Sequence, residues 1–101
     1  MILYNVTVKI LKAIEHEWLD WMRTRHIPDV IATGHFTDHR ICKLLEHDDE
    51  ESATFVIQYF CPSLHKYNHY ILHDAPRLRE EHEQLFKDKY VAFRTVMEVL
   101  K

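Results

Sequence analysis

Residues 2–10 read ILYNVTVKI, and their alternation is where the fold becomes legible. Ile2, Tyr4, Val6, Val8 and Ile10 share one parity, while Leu3, Asn5, Thr7 and Lys9 take the other. Side chains of an extended chain point to opposite faces in turn, so this is a strand with one strongly apolar face. Strands are also expected at 36–45, 53–61 (ATFVIQYFC) and 90–100 (YVAFRTVMEVL). The third is apolar on both faces, with Phe55, Ile57 and Tyr59 on one and Val56 and Phe60 flanking Gln58 on the other. Between the strands, 14–33 carries Ile14, Trp18, Trp21, Met22, Ile27, Val30 and Ile31 at helical spacing. The stretch 63–88 carries two expected buried stripes, Leu64–Tyr67–Ile71 and Leu78–His82–Leu85–Phe86.

Helix punctuation follows from local chemistry. Pro28 lacks a backbone donor, so the first helix should kink or restart there, with Gly34 as its C-cap. Ser63 can cap the first part of the second helical stretch, and Asp74 a second part that tolerates Pro76 in its first turn. Strand, helix, strand, strand, helix, strand is the split βαβ order. It predicts an α+β, ferredoxin-like βαββαβ fold: a four-stranded antiparallel sheet with both helices on one face. The 101 residues, 47% of them apolar, suit one domain over 1–101.

The charged run Glu46–His47–Asp48–Asp49–Glu50–Glu51 reads as a solvated hairpin loop. A turn near Asp48–Asp49–Glu50 places Cys42 opposite about residue 56, too far from Cys61 for a disulfide. Two reduced, mostly buried thiols are expected, in a cytoplasmic protein. Asn5 and Lys9 rule against reading the N-terminus as a signal peptide, and no apolar run reaches the roughly 20 residues of a membrane-spanning helix. With a net charge of −3 the chain has no electrostatic footprint for nucleic acid. A single Gly excludes a glycine-rich phosphate cradle. Thr54–Tyr59 faintly echoes an RNA-recognition strand but lacks its basic opening, so RNA binding is not expected.

Helices on one face leave the other uncovered. Leu3, Val56, Phe60, Tyr90, Ala92 and Val96 are expected there, and a second copy of the chain is the commonest way to bury such a set. Asn5, Thr7, Arg40, Gln58 and Arg94 are expected to point into the same space. An apolar chamber with a few convergent polar groups describes a small-molecule site, which makes Asn5, Arg40, Gln58 and Arg94 candidate ligand-binding residues. In the alternative, Arg94 pairs with Glu98 or a partner's acid, and Asn5 and Gln58 only bridge the dimer.

The stretches YNVTV (4–8), EWLDWMRTRHIPDVIATGHF (17–36), QYFC (58–61), HDAP (73–76) and KYVAFRTVMEV (89–99) resemble the bacterial family known as domain of unknown function 4286. That family looks related to the dimeric α/β-barrel proteins, which include antibiotic-biosynthesis monooxygenases, haem-degrading monooxygenases and muconolactone isomerases. The resemblance implies a ferredoxin-like protomer and a homodimer formed through the helix-free sheet faces. It assigns no reaction. Haem-degrading members use a helix His with an Asn on the first strand and a Trp nearby. Asn5 and the helical His26, His73 and His82 match in part, but no Trp follows Trp21, and His82 reads as a hydrogen-bonded core residue. No cofactor is expected.

His65, His69 and His73 repeat at i, i+4 and i+8, a spacing that can hold a transition metal. Further ligands are not evident beside them, so a solvated helix face without metal is the expectation. His26 follows Trp18 and Met22 at four-residue steps and is the catalytic candidate, a general base for cofactor-independent oxygenation or isomerisation. Its alternative role is structural, as a helix-terminal His before the proline break. Two functions result. One is a homodimer binding a small anionic or aromatic molecule in its sheet-lined lumen; the other is a non-enzymatic dimerisation or regulatory module.

Overall fold

The computed structural model describes residues 1–46 and 49–101, and two residues of the expected hairpin loop, His47 and Asp48, lie outside them. Strand β1 (Ile2–Leu11) leads through a short 3₁₀ turn into α1 (Glu15–Trp21), a π turn (Met22–His26) and α2 (Ile27–Ala32). Then come β2 (Asp38–Lys43), β3 (Ser52–Cys61), α3 (Leu64–His73), α4 (Ala75–Phe86) and β4 (Tyr90–Glu98). The sheet runs β2-β3-β1-β4, all antiparallel, as the split βαβ order requires.

Register settles which residues share a face, because directly opposed residues point the same way. Ile2, Tyr4, Val6, Val8 and Ile10 lie opposite Cys61, Tyr59, Ile57, Phe55 and Ala53 of β3. Together with Trp18, Met22, Ile27, Val30, Tyr70, Leu78 and Phe86 of the helices, these form the core. Trp18 is completely buried, and its indole N–H donates to Nε2 of His82 at 2.9 Å. A buried indole needs such a partner. His82 is thus the hydrogen-bonded core histidine its stripe suggested.

The last strand departs from expectation. Tyr4, Val6, Val8 and Ile10 lie opposite Val96, Arg94, Ala92 and Tyr90, so all four face the helices and not the uncovered side. The residues of β4 on the helix-free face are Val91, Phe93, Thr95 and Met97. The strand is apolar on both parities, so alternation alone cannot orient it; pairing with β1 does.

Smaller corrections come from packing. Cys42 lies opposite Val56, which keeps it away from Cys61 as expected, but Cys42 is exposed and only Cys61 is buried. Leu64 and Leu85 are more than half exposed, at 54% and 53%. The buried residue of α3 is Tyr70, whose ring stands 4.8 Å from that of Phe36. Ser63 caps α3 by accepting from the Lys66 N–H, whereas Asp74 makes no side-chain cap bond to α4.

Candidate functional site

His26 owes its position to an irregular turn. The Ile27 N–H donates to the Met22 carbonyl, five residues back, and Pro28 next has no N–H with which to continue the ladder. The helix therefore restarts as α2 with Pro28 in its first turn, where a missing donor costs nothing. Turns of this π type are frequent at functional sites. Here the turn carries His26 under the helices, against the sheet.

Two adjoining cavities of ≈ 30 Å³ each lie between sheet and helices, and both are lined by Val6, Met22, His26, Arg79 and Arg94. One lobe reaches Tyr4, Tyr59 and Tyr70; the other reaches His82 and Ala92. Each has room for one or two waters, or for the polar head of a small molecule. Arg94 is exposed on the edge strand and forms the mouth. A much larger hollow of ≈ 560 Å³ runs between Ile27, Pro28, Ile31 and Ile41, with Arg23 and His39 at its edge. Its walls are mainly apolar, whereas the smaller site gathers His26, Arg79 and Arg94.

The polar atoms of the small site are incompletely paired. Arg79 donates through Nη2 to the Tyr4 hydroxyl at 3.0 Å, and its Nε is buried without a partner. Nδ1 of His26 is likewise buried and unpartnered. Among the described residues no acid pairs with Arg94, Glu98 included. Burial lowers the pKa of His26 from 6.5 to about 4, helped by the Arg94 charge and opposed by Asp29. Burial likewise lowers His82 to about 4, with His26 and Arg94 contributing. Burial pushes Tyr59 and Tyr70 upward, so their hydroxyls stay protonated. The charge of Arg94 adds to the lowering of both histidines and opposes the rise of the two tyrosines. A neutral imidazole beside two guanidiniums can take a proton while the cations stabilise the anion left behind.

The sequence-derived candidates separate into two groups. Asn5, Arg40 and Gln58 do share the helix-free face: Asn5 lies opposite Gln58, and Arg40 Nε donates to Gln58 Oε1 at 2.6 Å. Arg40 also lies over the Phe60 ring, 5.7 Å from its centroid. Asn5 Oδ1 is buried there without a partner. Arg94 stands on the opposite side of the sheet with His26, so the four do not converge on one space. Asn5 lies on the face of the sheet opposite the His26 and His82 cavity, so the haem-degrading pairing of Asn5 with either of these histidines is not built here. Arg79 was missed because it belongs to the polar run RLREEHEQ, where nothing but the packing of α4 distinguishes it from its solvated neighbours. His65, His69 and His73 are all exposed, as expected.

The whole chain superposes on solved structures of low sequence similarity. SnoaB, a cofactor-independent oxygenase from Streptomyces nogalater, matches with a TM-score of 0.63 at 10% identity, over 99% of this chain and 94% of that one. An antibiotic biosynthesis monooxygenase matches at 0.68 and 10% identity over 100% of both chains. A dimeric ferredoxin-like protein from an uncultured marine organism matches at 0.68 and 14% identity, covering 100% and 96%. At these identities the likeness establishes the ferredoxin-like fold. Comparison with curated proteins finds no match. The model of one family, described as domain of unknown function DUF4286, matches residues 1–100, and the chain belongs to that family.

Proposed function

We propose that the protein binds a small organic anion, a carboxylate or phenolate, between Arg79 and Arg94, and that His26 acts on it as a general base without a cofactor. The observation that carries this reading is the buried, unpartnered Nδ1 of His26 in a cavity shared with two guanidiniums that pair with no acid among the described residues. A buried polar atom with no protein partner is completed by an ordered water or by a polar group of a ligand, and this cavity offers room for either. A neutral imidazole removes a proton from an acidic C–H or O–H, and its electron pair stays on the substrate as an enolate or phenolate. Reprotonation at another carbon is an isomerisation; reaction of the same anion with dioxygen is a cofactor-independent oxygenation. A structural neighbour, SnoaB, is named as such an oxygenase, which favours that chemistry on this scaffold.

The reading includes a homodimer formed through the helix-free sheet faces, supported by the exposed Val91, Phe93 and Met97 of β4. In that arrangement Asn5, Arg40 and Gln58 belong to the interface, and the anion site stays within each protomer. The rival reading, a dimerisation module without a ligand, rests on the same apolar face and differs in leaving the His26 cavity empty.

A thermal-shift panel of aromatic and aliphatic carboxylates and phenols distinguishes them. A ligand at a hundred times its Kd stabilises by about 2.7 kcal/mol. Wild type should respond and Arg94→Met should not. A panel with no response, or one whose hits survive Arg94→Met, overturns the assignment.

A further inference from the structure

We propose that His35, His69 and Asp74 form a binding site for one divalent transition metal ion of the zinc class. The site unites three chain segments. Gly34, with φ +83°, ends α2 through a bond from its N–H to the Ile31 carbonyl and turns the chain so that His35 follows. The His35 carbonyl accepts from the Cys61 thiol at 3.2 Å, which ties the loop to β3. His69 is on α3, and Asp74 is the joint between α3 and α4.

Asp74 leaves the α4 N-terminus uncapped and turns its carboxylate to the histidines. Its Oδ2 lies 3.1 Å from His35 Nε2, and His69 Nδ1 lies 3.3 Å from the same nitrogen. All three ligand atoms fall within 4.8 Å of one another. Metal–nitrogen bonds of about 2.0–2.1 Å in a tetrahedron put ligand atoms roughly 3.3 Å apart. Two of the three separations therefore already have the span that a tetrahedral ion imposes, and the third needs only a modest closure. Arg77 Nη2 stands 3.8 Å from the other oxygen, Oδ1, and so steadies the carboxylate from outside the set.

The hydrogen count makes the same point. His35 Nε2 faces both Asp74 Oδ2 and His69 Nδ1, and one ring nitrogen carries at most one hydrogen to offer the two. A cation satisfies all three at once, and the His35 proton then moves to Nδ1. Two imidazoles and one carboxylate suit zinc, cobalt or iron(II), and not calcium or magnesium, which prefer all-oxygen shells. His69 is exposed, so the fourth coordination position opens to solvent. The side chains of His35 and Asp74, 16% and 24% exposed, form the sheltered wall. The α3 histidine repeat of His65, His69 and His73 includes one of the three ligands, but His35 is 34 residues before His69, and only the fold brings it to His69 and Asp74.

The test uses the tag-free chain, stripped with a chelator and titrated with zinc by calorimetry and with cobalt(II) by visible absorption. One equivalent per chain is expected, with the absorption of a four-coordinate cobalt site. His69→Gln and Asp74→Asn should each weaken binding at least tenfold, and His65→Gln, exposed on the same helix, should leave it unchanged. Melting of each variant in chelator establishes that it is folded; if one is not, His35→Gln takes its place. Failure of wild type to bind an equivalent, or binding that survives both ligand substitutions, overturns the site. So does equal weakening by His65→Gln.

Discussion

Arg94 has no acid partner among the described residues, and its stability role follows from that. Removing one member of a buried ion pair costs roughly 3–5 kcal/mol, because a charge is left uncompensated. Arg94→Met removes no pair, so its unfolding free energy from urea denaturation should stay within about 0.5 kcal/mol of wild type or rise. A loss of several kcal/mol would reveal a hidden acid and contradict the open mouth. The histidines give a second test at this scale. His26 and His82 have folded pKa values of about 4, below the ordinary 6.5. As pH falls through 6.5 the unfolded chain takes up protons that the folded chain refuses until about 4. Their contribution is therefore complete above 6.5, declines between 6.5 and about 4, and is flat below. Each is on the order of 3 kcal/mol before solvent screening, less for the partly exposed His26. Urea denaturation at pH 7 and 4.5 should show the decline, and His82→Gln should reduce it; equal stability at both values would refute the buried neutral pair. Sequence singled out His26 because a histidine before Ile-Pro at helical spacing has few orientations. It misplaced Arg94 because YVAFRTVMEV offers apolar residues to both faces, and only hydrogen-bond register decides between them.

Elements were legible wherever the chain signals its own ends. Ser63 caps α3 and Gly34 terminates α2 because each solves a local backbone problem that sequence alone poses. Gly34→Ala tests the second. Nothing lies within 4 Å of a Cβ built there, so the cost is only the left-handed φ of +83°. That conformation costs a non-glycine residue about 1–2 kcal/mol, and Asn tolerates it better. Thermal melts should therefore rank wild type above Gly34→Asn and Gly34→Ala lowest; an unchanged Ala variant would show that the helix end relaxes. The π turn before Pro28 was not legible in this way. A missing donor announces a break, but whether the preceding turn tightens, widens or kinks depends on what α1 and α2 must reach. Here Trp18 and Met22 are anchored in the core on one side of the break, and Ile27 and Val30 on the other. The widened turn reconciles the two and leaves His26 facing inward. Asp74 shows the converse, a residue suited to capping that tertiary contacts draw to His35.

At the scale of the molecule the chain is a slab of 39 × 31 × 19 Å, one sheet and one layer of helices. Its broad helix-free face is large enough for the roughly 800 Å² per partner of a standard interface. Val91, Phe93 and Met97 are 68%, 60% and 40% exposed on that face, with Leu3, Val56 and Phe60 partly buried beside them. Sequence led to the expectation that a sheet covered on one side finds cover on the other, but it put the wrong half of β4 on the helix-free face. The correction changes which substitution is informative. Ala92 and Val96 face the helices, so their replacement tests folding, whereas Phe93 is free of the core and tests association alone. Sedimentation equilibrium at micromolar concentration should give twice the 12.3 kDa chain mass. Phe93→Asp places a like charge on each side of a two-fold interface, and removing a carboxylate from water costs several kcal/mol. The variant should sediment as a folded monomer with its far-UV spectrum intact, because the side chain it replaces supports nothing within the protomer. The His26 cavity lies on the opposite side of the sheet, so that monomer should still respond to any anion that stabilises wild type. A wild-type monomer would eliminate the sheet-to-sheet dimer. A dimeric Phe93→Asp would move the interface elsewhere, and a ligand response lost on dissociation would mean that the anion site draws on both protomers.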